Sequence, residues 1–190
     1  SSHLFGLFDS FNADVVSDVT LHKSSIPARY GGRLSSVLRV EQKAGDRESI
    51  HLRGGVSPIT SRLFVEGPIV QGKTSFVAGG RVSYVNWLLN ASGNSDLENS
   101  RASFHDVNLG VNHRFGPSDE LSVTGYRASD DFALADTTFS YATNNASLKW
   151  RHSFSDRLFT ETQASMGRYD VAIRDEEPAD AFVLESEIRT

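Results

Sequence analysis

The side chains best suited to chemistry in this 190-residue chain are carboxylates, histidines, serines and arginines, because it contains no cysteine. Without thiols it has neither a disulfide framework nor a thiolate metal site. Asp130-Asp131, Asp175-Glu176-Glu177 and Asp180 fall in polar stretches that read as loops. Carboxylates so placed either stand solvated or meet a cation or metal complex. His105 and His113 share the parity of the apolar residues around them and lie eight residues apart. Two histidines gripping one metal from a single strand sit more naturally two residues apart, so these read as edge or interfacial residues. Gly31-Gly32 lacks the Lys-Ser/Thr continuation and helix start of a phosphate loop, and therefore reads as a conformational requirement. Acids and serines are plentiful, but no Gly-x-Ser-x-Gly motif stands between a strand and a helix. The expectation is a protein that is not an enzyme, with no catalytic residues, no metal site and no cofactor.

The elements that position these residues are constrained by composition. Lys plus Arg number 19 against 24 Asp plus Glu, and the net charge of −5 comes with no basic run, which argues against a nucleic-acid partner. No apolar run approaches the roughly 20 residues of a membrane-spanning helix. A transmembrane β-barrel stays open, because its strands alternate and keep mean hydropathy low.

Residues 1–46 and 47–190 follow different patterns. In the first, Asn12-Ala13-Asp14-Val15-Val16 reads as a capped helical turn, Val19–Lys23 and Leu34–Val40 as short strands, and Pro27–Arg33 as a bend. The result is a small α+β piece. From residue 47 the chain alternates, which predicts about eight antiparallel strands. Ile50, Leu52 and Val56 share one face; the parity slips at Ser57-Pro58, and Ile59, Leu63, Val65 and Ile69 share the next. Such a slip marks a turn, since an unbroken strand cannot exchange its faces. Leu158–Tyr169 is a strand whose faces stay ambiguous. Tight links at Gln71-Gly72-Lys73, Gly116–Asp119 and Ser155-Asp156 alternate with longer polar ones near 90–103, 128–137 and 174–180. Tyr84, Trp87, Phe104, Phe115 and Phe154 sit near strand ends, as aromatic girdles do. Short turns at one end and long loops at the other favour a membrane barrel over a soluble β-sandwich, which uses mixed Greek-key connections.

Four blocks occur in order: His3-Leu4-Phe5-Gly6-Leu7-Phe8, Phe11-Asn12-Ala13-Asp14, Ile26–Leu38 with its core Pro27-Ala28-Arg29-Tyr30-Gly31-Gly32-Arg33, and Ser61–Ile69 with Leu63-Phe64-Val65-Glu66-Gly67-Pro68. Together they resemble TonB-dependent outer-membrane transporters of the Bacteroidetes type. The resemblance implies a mainly β fold. Residues 1–46 would be the C-terminal part of a plug domain. Residues 47–190 would be the first eight or so strands of an antiparallel transmembrane β-barrel of about 22 strands. It also implies active transport of a scarce ligand into the periplasm, with the plug moved by TonB. Its partners would be the inner-membrane TonB complex, outer-membrane lipid, a small ligand of siderophore, haem, oligosaccharide or peptide class, and a surface lipoprotein. The location would be a Gram-negative outer membrane. In this scheme Pro27, Tyr30, Gly31 and Gly32 form the plug bend, and Arg29 and Arg33 pair with wall carboxylates, Glu66 being a local candidate. The chain, starting at Ser1 and stopping inside a strand, is expected to be an internal stretch of a longer one. Two readings compete: a non-transporting sensor or binding barrel on the same scaffold, and a soluble β-sandwich.

Overall fold

The computed structural model describes residues 12–23, 36–87, 100–134, 137–175 and 183–189. It is mainly β and antiparallel. The Asn12 side chain accepts a hydrogen bond from the Asp14 N–H at 3.1 Å, and the Asn12 carbonyl accepts from Val15 and Val16. One capped turn results, as the sequence suggests, but it passes straight into β1 (Val16–His22) rather than into a helix. With β2 (Val37–Gln42), β1 forms a two-stranded sheet of its own.

The rest is one eight-stranded sheet in strict sequence order: β3 (His51–Val56), β4 (Thr60–Val70), β5 (Thr74–Ser83), β6 (Arg101–Arg114), β7 (Asp119–Leu134), β8 (Thr137–Ser155), β9 (Leu158–Asp175) and β10 (Val183–Arg189). Every neighbour pair is antiparallel, and among the described residues β3 and β10 do not meet. The parity slip at Ser57-Pro58 is the β3–β4 turn, closed by the Ser57 hydroxyl and backbone on Thr60. Gly72 takes a positive φ of 71° in the β4–β5 turn, a conformation open to glycine at little cost.

Two expectations about connections change. The stretch 128–137 is not a long loop: β7 and β8 stay paired up to Leu134 opposite Thr137. Cross-strand partners such as Phe132 with Phe139 carry the ladder through this polar sequence. Likewise β6 starts at Arg101, inside the stretch expected to be loop.

Candidate functional site

Register determines which side chains share a face. Running across β4, β5 and β6, Arg62 lies opposite Arg81 and Arg81 opposite Asp106. Glu120, Arg151 and Glu161 continue the same face over β7, β8 and β9. This inner face carries the N-terminal residues. The outer face carries Leu63, Phe76, Val107, Leu109, Val111, Val123, Leu148, Trp150 and Met166. Solvation is inverted between them. Asp106 is 1% exposed on the inner face, whereas Leu109 is 55% and Trp150 44% exposed on the outer.

The N-terminal residues seat on the inner face through small, specific contacts. Val15 packs with Phe64 of β4 and Val77 of β5 in a buried cluster. Lys43 lies 5.2 Å from the Phe64 ring centroid and Arg53 5.5 Å, so the ring sits between two cations. Gly79 and Gly110 make the seat possible. A Cβ on Gly79 would fall 2.5 Å from Val15 Cγ2, and one on Gly110 would fall 2.7 Å from Gln42 Nε2. A strand glycine at a close approach of another segment is the expected use of that residue.

Polar contacts frame this apolar centre. Asp14 pairs with Arg62 of β4 at 3.2 Å. Arg47 pairs with Glu120 of β7 at 2.8 Å and also donates to the Asn112 side chain, which is bonded in turn to Ser122. The Ser75 hydroxyl donates to the Ala44 carbonyl at 2.7 Å, and the Gly72 N–H donates to the Arg47 carbonyl at 3.0 Å. Beyond Gln42 and Lys43 opens a cavity of about 590 Å³, bounded by Asn112, Glu120, Tyr126, Asn145, Lys149 and Glu161 among others. Hydroxyl, amide and charged groups alternate around it. Such a lining can exchange hydrogen bonds with a hydrated solute.

Arg81 and Asp106 make the deepest ion pair, 2.6 Å apart, directly opposite each other and aided by the Asn108 amide at 3.3 Å. Arg81 also lies 5.6 Å from the Phe104 ring centroid. Phe104 is therefore no girdle residue: it is 2% exposed on the inner face, clustered with Ala102. Its even number puts it in phase with Asp106, and that parity overrides nearness to a strand end. Phe115 and Phe154 do lie exposed beside tight turns, each edge-on to a histidine, His113 and His152, at 4.4 Å.

No family model, curated protein or solved structure matches the chain.

The sequence-derived site residues divide. Glu66 lies on the inner face of β4, 8% exposed, with Arg53 at 4.0 Å as its ionic neighbour. Arg29, Arg33, Pro27, Tyr30, Gly31 and Gly32 lie outside the described residues. His105 and His113 sit on the outer face, and His113 Nδ1 is 2.7 Å from the Thr74 hydroxyl. Asp130 and Asp131 are strand residues of β7, not loop carboxylates; Asp131 accepts from the Ser140 hydroxyl. Asp175 ends β9, while Glu176, Glu177 and Asp180 lie outside the described residues. The contacts that sequence reading missed are Asp14, Gln42 and Arg47 on one side and Arg62, Gly79, Gly110, Asn112 and Glu120 on the other. One signal was present for them. Gly79 and Gly110 interrupt alternating strands on the polar parity, where nothing but a close approach asks for glycine.

Just outside the strands, Asp46 closes the junction between the two regions. Its carboxylate accepts from the Glu48 and Ser49 N–H groups at 2.7 and 3.0 Å and contacts His51 Nε2 at 2.8 Å. The two backbone donors, with the histidine, pull its pKa down to about 2.

Proposed function

We propose that this chain is part of an outer-membrane transporter driven through TonB: residues 47–190 wall and residues 1–46 the end of a movable plug. A scarce small ligand would pass along the polar inner face when the plug is pulled aside. Lipid would cover the outer face, and no bond would be made or broken in the cargo.

The observation that carries the reading is the inverted solvation of one sheet. In water, an eight-stranded sheet that buries Asp106, Asn112 and Glu66 while exposing Leu52, Leu63, Leu109, Leu148 and Met166 is wrongly dressed. In a bilayer the same dressing is required, because the apolar residues meet acyl chains and the polar ones a wet lumen.

The turns support the same geometry. Val70 pairs with Thr74, which lies opposite His113; Phe115 bonds to Asp119, which lies opposite His152; Ser155 pairs with Leu158. Each successive tight turn therefore falls two to three residues further along the ladder. Turns lying on one membrane surface would then tilt the strands by about 40°, taking ~3.4 Å per residue and ~4.8 Å between strands. Outer-membrane barrels tilt by roughly 35–45°. Along β6 the outer apolar run from Val107 to Phe115 rises by about 20 Å once that tilt is applied, close to the roughly 25 Å apolar band of such barrels. The edges of β3 and β10, unpaired among the described residues, are where further strands would add.

The test uses native cells, with any cysteine elsewhere in the parent protein replaced by serine, since these 190 residues contain none. The protein bearing this sequence should fractionate with the outer membrane. Cysteines placed at Val15 and Gly79, where a Cβ on residue 79 would fall 2.5 Å from Val15 Cγ2, should form a tether between plug and wall. Under oxidation the tether should abolish the uptake that deletion of the gene abolishes, and a reductant should restore it. Recovery in the soluble fraction would overturn the reading, as would uptake indifferent to a formed tether.

A further inference from the structure

On the outer face, directly above the apolar belt, the ladder builds a cationic row. Arg127 of β7 lies opposite Asn144 of β8, Asn144 opposite Arg168 of β9, and Arg168 opposite Arg189 of β10. The row immediately below reads Gly125, Ala146 and Met166, the last 69% exposed. Continued across the sheet in the other direction, the row of arginines becomes Val107, Gly80 and Leu63. A tilted belt crosses out of this row between β6 and β7, so the guanidiniums stand at its margin on the long-loop side.

Charge in this row is not balanced from within the patch. Arg168 and Arg189, facing each other, would repel; Glu187 relieves this by accepting from Arg189 and pairing with Arg168 at 3.3 Å, and Asp170 accepts from Arg168 at 2.9 Å. Arg174, higher up, is engaged with Glu185 at 3.6 Å. Arg168 and Arg189 thus take up both carboxylates, and Arg127 has no ionic partner among the described residues. Arg127, Asn144 and Arg168 present hydrogen-bond donors from three adjacent strands across about 10 Å, at ~4.8 Å per strand. A guanidinium fork suits phosphate oxygens, and a net cation beside acyl chains suits a phosphate anchored to those chains.

We infer that this row is a docking site for the phosphate of an anionic lipid headgroup in the leaflet nearer the long loops. The inference rests on the membrane reading above and adds to it a charge preference among lipids. Exposed interfacial arginines gain most where the surrounding medium is poor in water, and salt weakens what they gain.

The test is lipid selectivity at the protein surface. The parent protein bearing this sequence is reconstituted into phosphatidylcholine bilayers carrying either spin-labelled phosphatidylglycerol or spin-labelled phosphatidylcholine, and the motionally restricted fraction of each is measured. The expected result is a several-fold preference for phosphatidylglycerol that falls with added salt. The triple variant R127Q/R168Q/R189Q should lose the preference, while R127K/R168K/R189K should keep most of it. Equal restriction of both lipids by the unaltered chain, or an undiminished preference in the glutamine variant, would overturn the inference and leave the membrane reading standing. Competition by free inorganic phosphate at millimolar concentration would also overturn it, since the site would then serve a soluble anion. No restricted lipid of either kind would overturn the membrane reading, and this inference with it.

Discussion

The two faces of the eight-stranded sheet share one backbone and oppose each other in everything else. The inner face is polar and, around β5 and β6, covered: Asn112 and Asp106 are buried, and each has charged or amide partners. The outer face is apolar and bare. Buried polar groups persist when their partners are supplied: Ala44 supplies one for Ser75, Arg47 at the junction one for Asn112, and Arg81 one for Asp106. Exposed apolar groups on this scale mark a surface that something else covers, whether a partner protein or an apolar medium. The difference teaches that the N-terminal residues seat on the inner face through specific contacts, while the outer face has no cover among the described residues.

The largest effect should come from reversing one side of this contrast. Leu109→Arg should cost about 2–4 kcal/mol in bilayer-refolding titrations, because the charge would sit in the apolar band. In water the same substitution at a half-exposed position should fall within about 0.5 kcal/mol. Asn145→Arg, an exposed inner-face site on β8, should be tolerated in both settings. Equal cost at Leu109 and Asn145 would break the comparison.

A smaller effect should follow from disturbing the seat while leaving both faces intact. Gly79→Val would drive a side chain into Val15, and overpacking of this kind typically costs about 1–3 kcal/mol unless the segment moves away. Segment release would show as faster proteolysis between residues 12 and 47, with the β-sheet circular dichroism unchanged. Unchanged proteolysis together with unchanged stability would mean that the seat is not tight.

Much of this was legible in the sequence, and the reasons for the rest are specific. Strict alternation on β6 and β8 made the two faces readable, since a period of two leaves little choice. The parity slip at Ser57-Pro58 and the three tight links are where the turns fall. The hairpin of β7 and β8 was hidden because its upper rungs set Phe132, Phe139 and Tyr141 among Ser, Thr and Asp without strict alternation, which reads as loop although the ladder continues. β10 was readable as a strand but not as to side. Register turns Glu185, Glu187 and Arg189 outward and Leu184 and Ile188 inward, so its apolar residues are not belt residues. Contacts between the N-terminal residues and the wall are non-local pairings, and parity names only the face on which such partners lie. Glycine was the one local trace they left.

The smallest effect belongs to the junction that joins the two regions, and it sharpens the comparison by showing whether they are coupled there. Asp46 titrates near 2 when folded against an ordinary 3.8, because the Glu48 and Ser49 N–H groups and His51 favour its charged form. A depressed carboxylate contributes stability that is complete above its unfolded pKa and is lost as pH falls through the folded one. The window therefore lies between about pH 4 and pH 2. Protection of the Glu48 and Ser49 amides against hydrogen exchange, corrected for the intrinsic rate, should hold steady above pH 4 and decline below it. Asp46→Asn, which cannot ionise, should remove the decline. If the amides of Val15 and Lys43 lose protection over the same window, the junction helps to hold the N-terminal residues on the wall. If they do not, the seat at Gly79 and Gly110 and the Arg47–Glu120 pair hold it without help from Asp46.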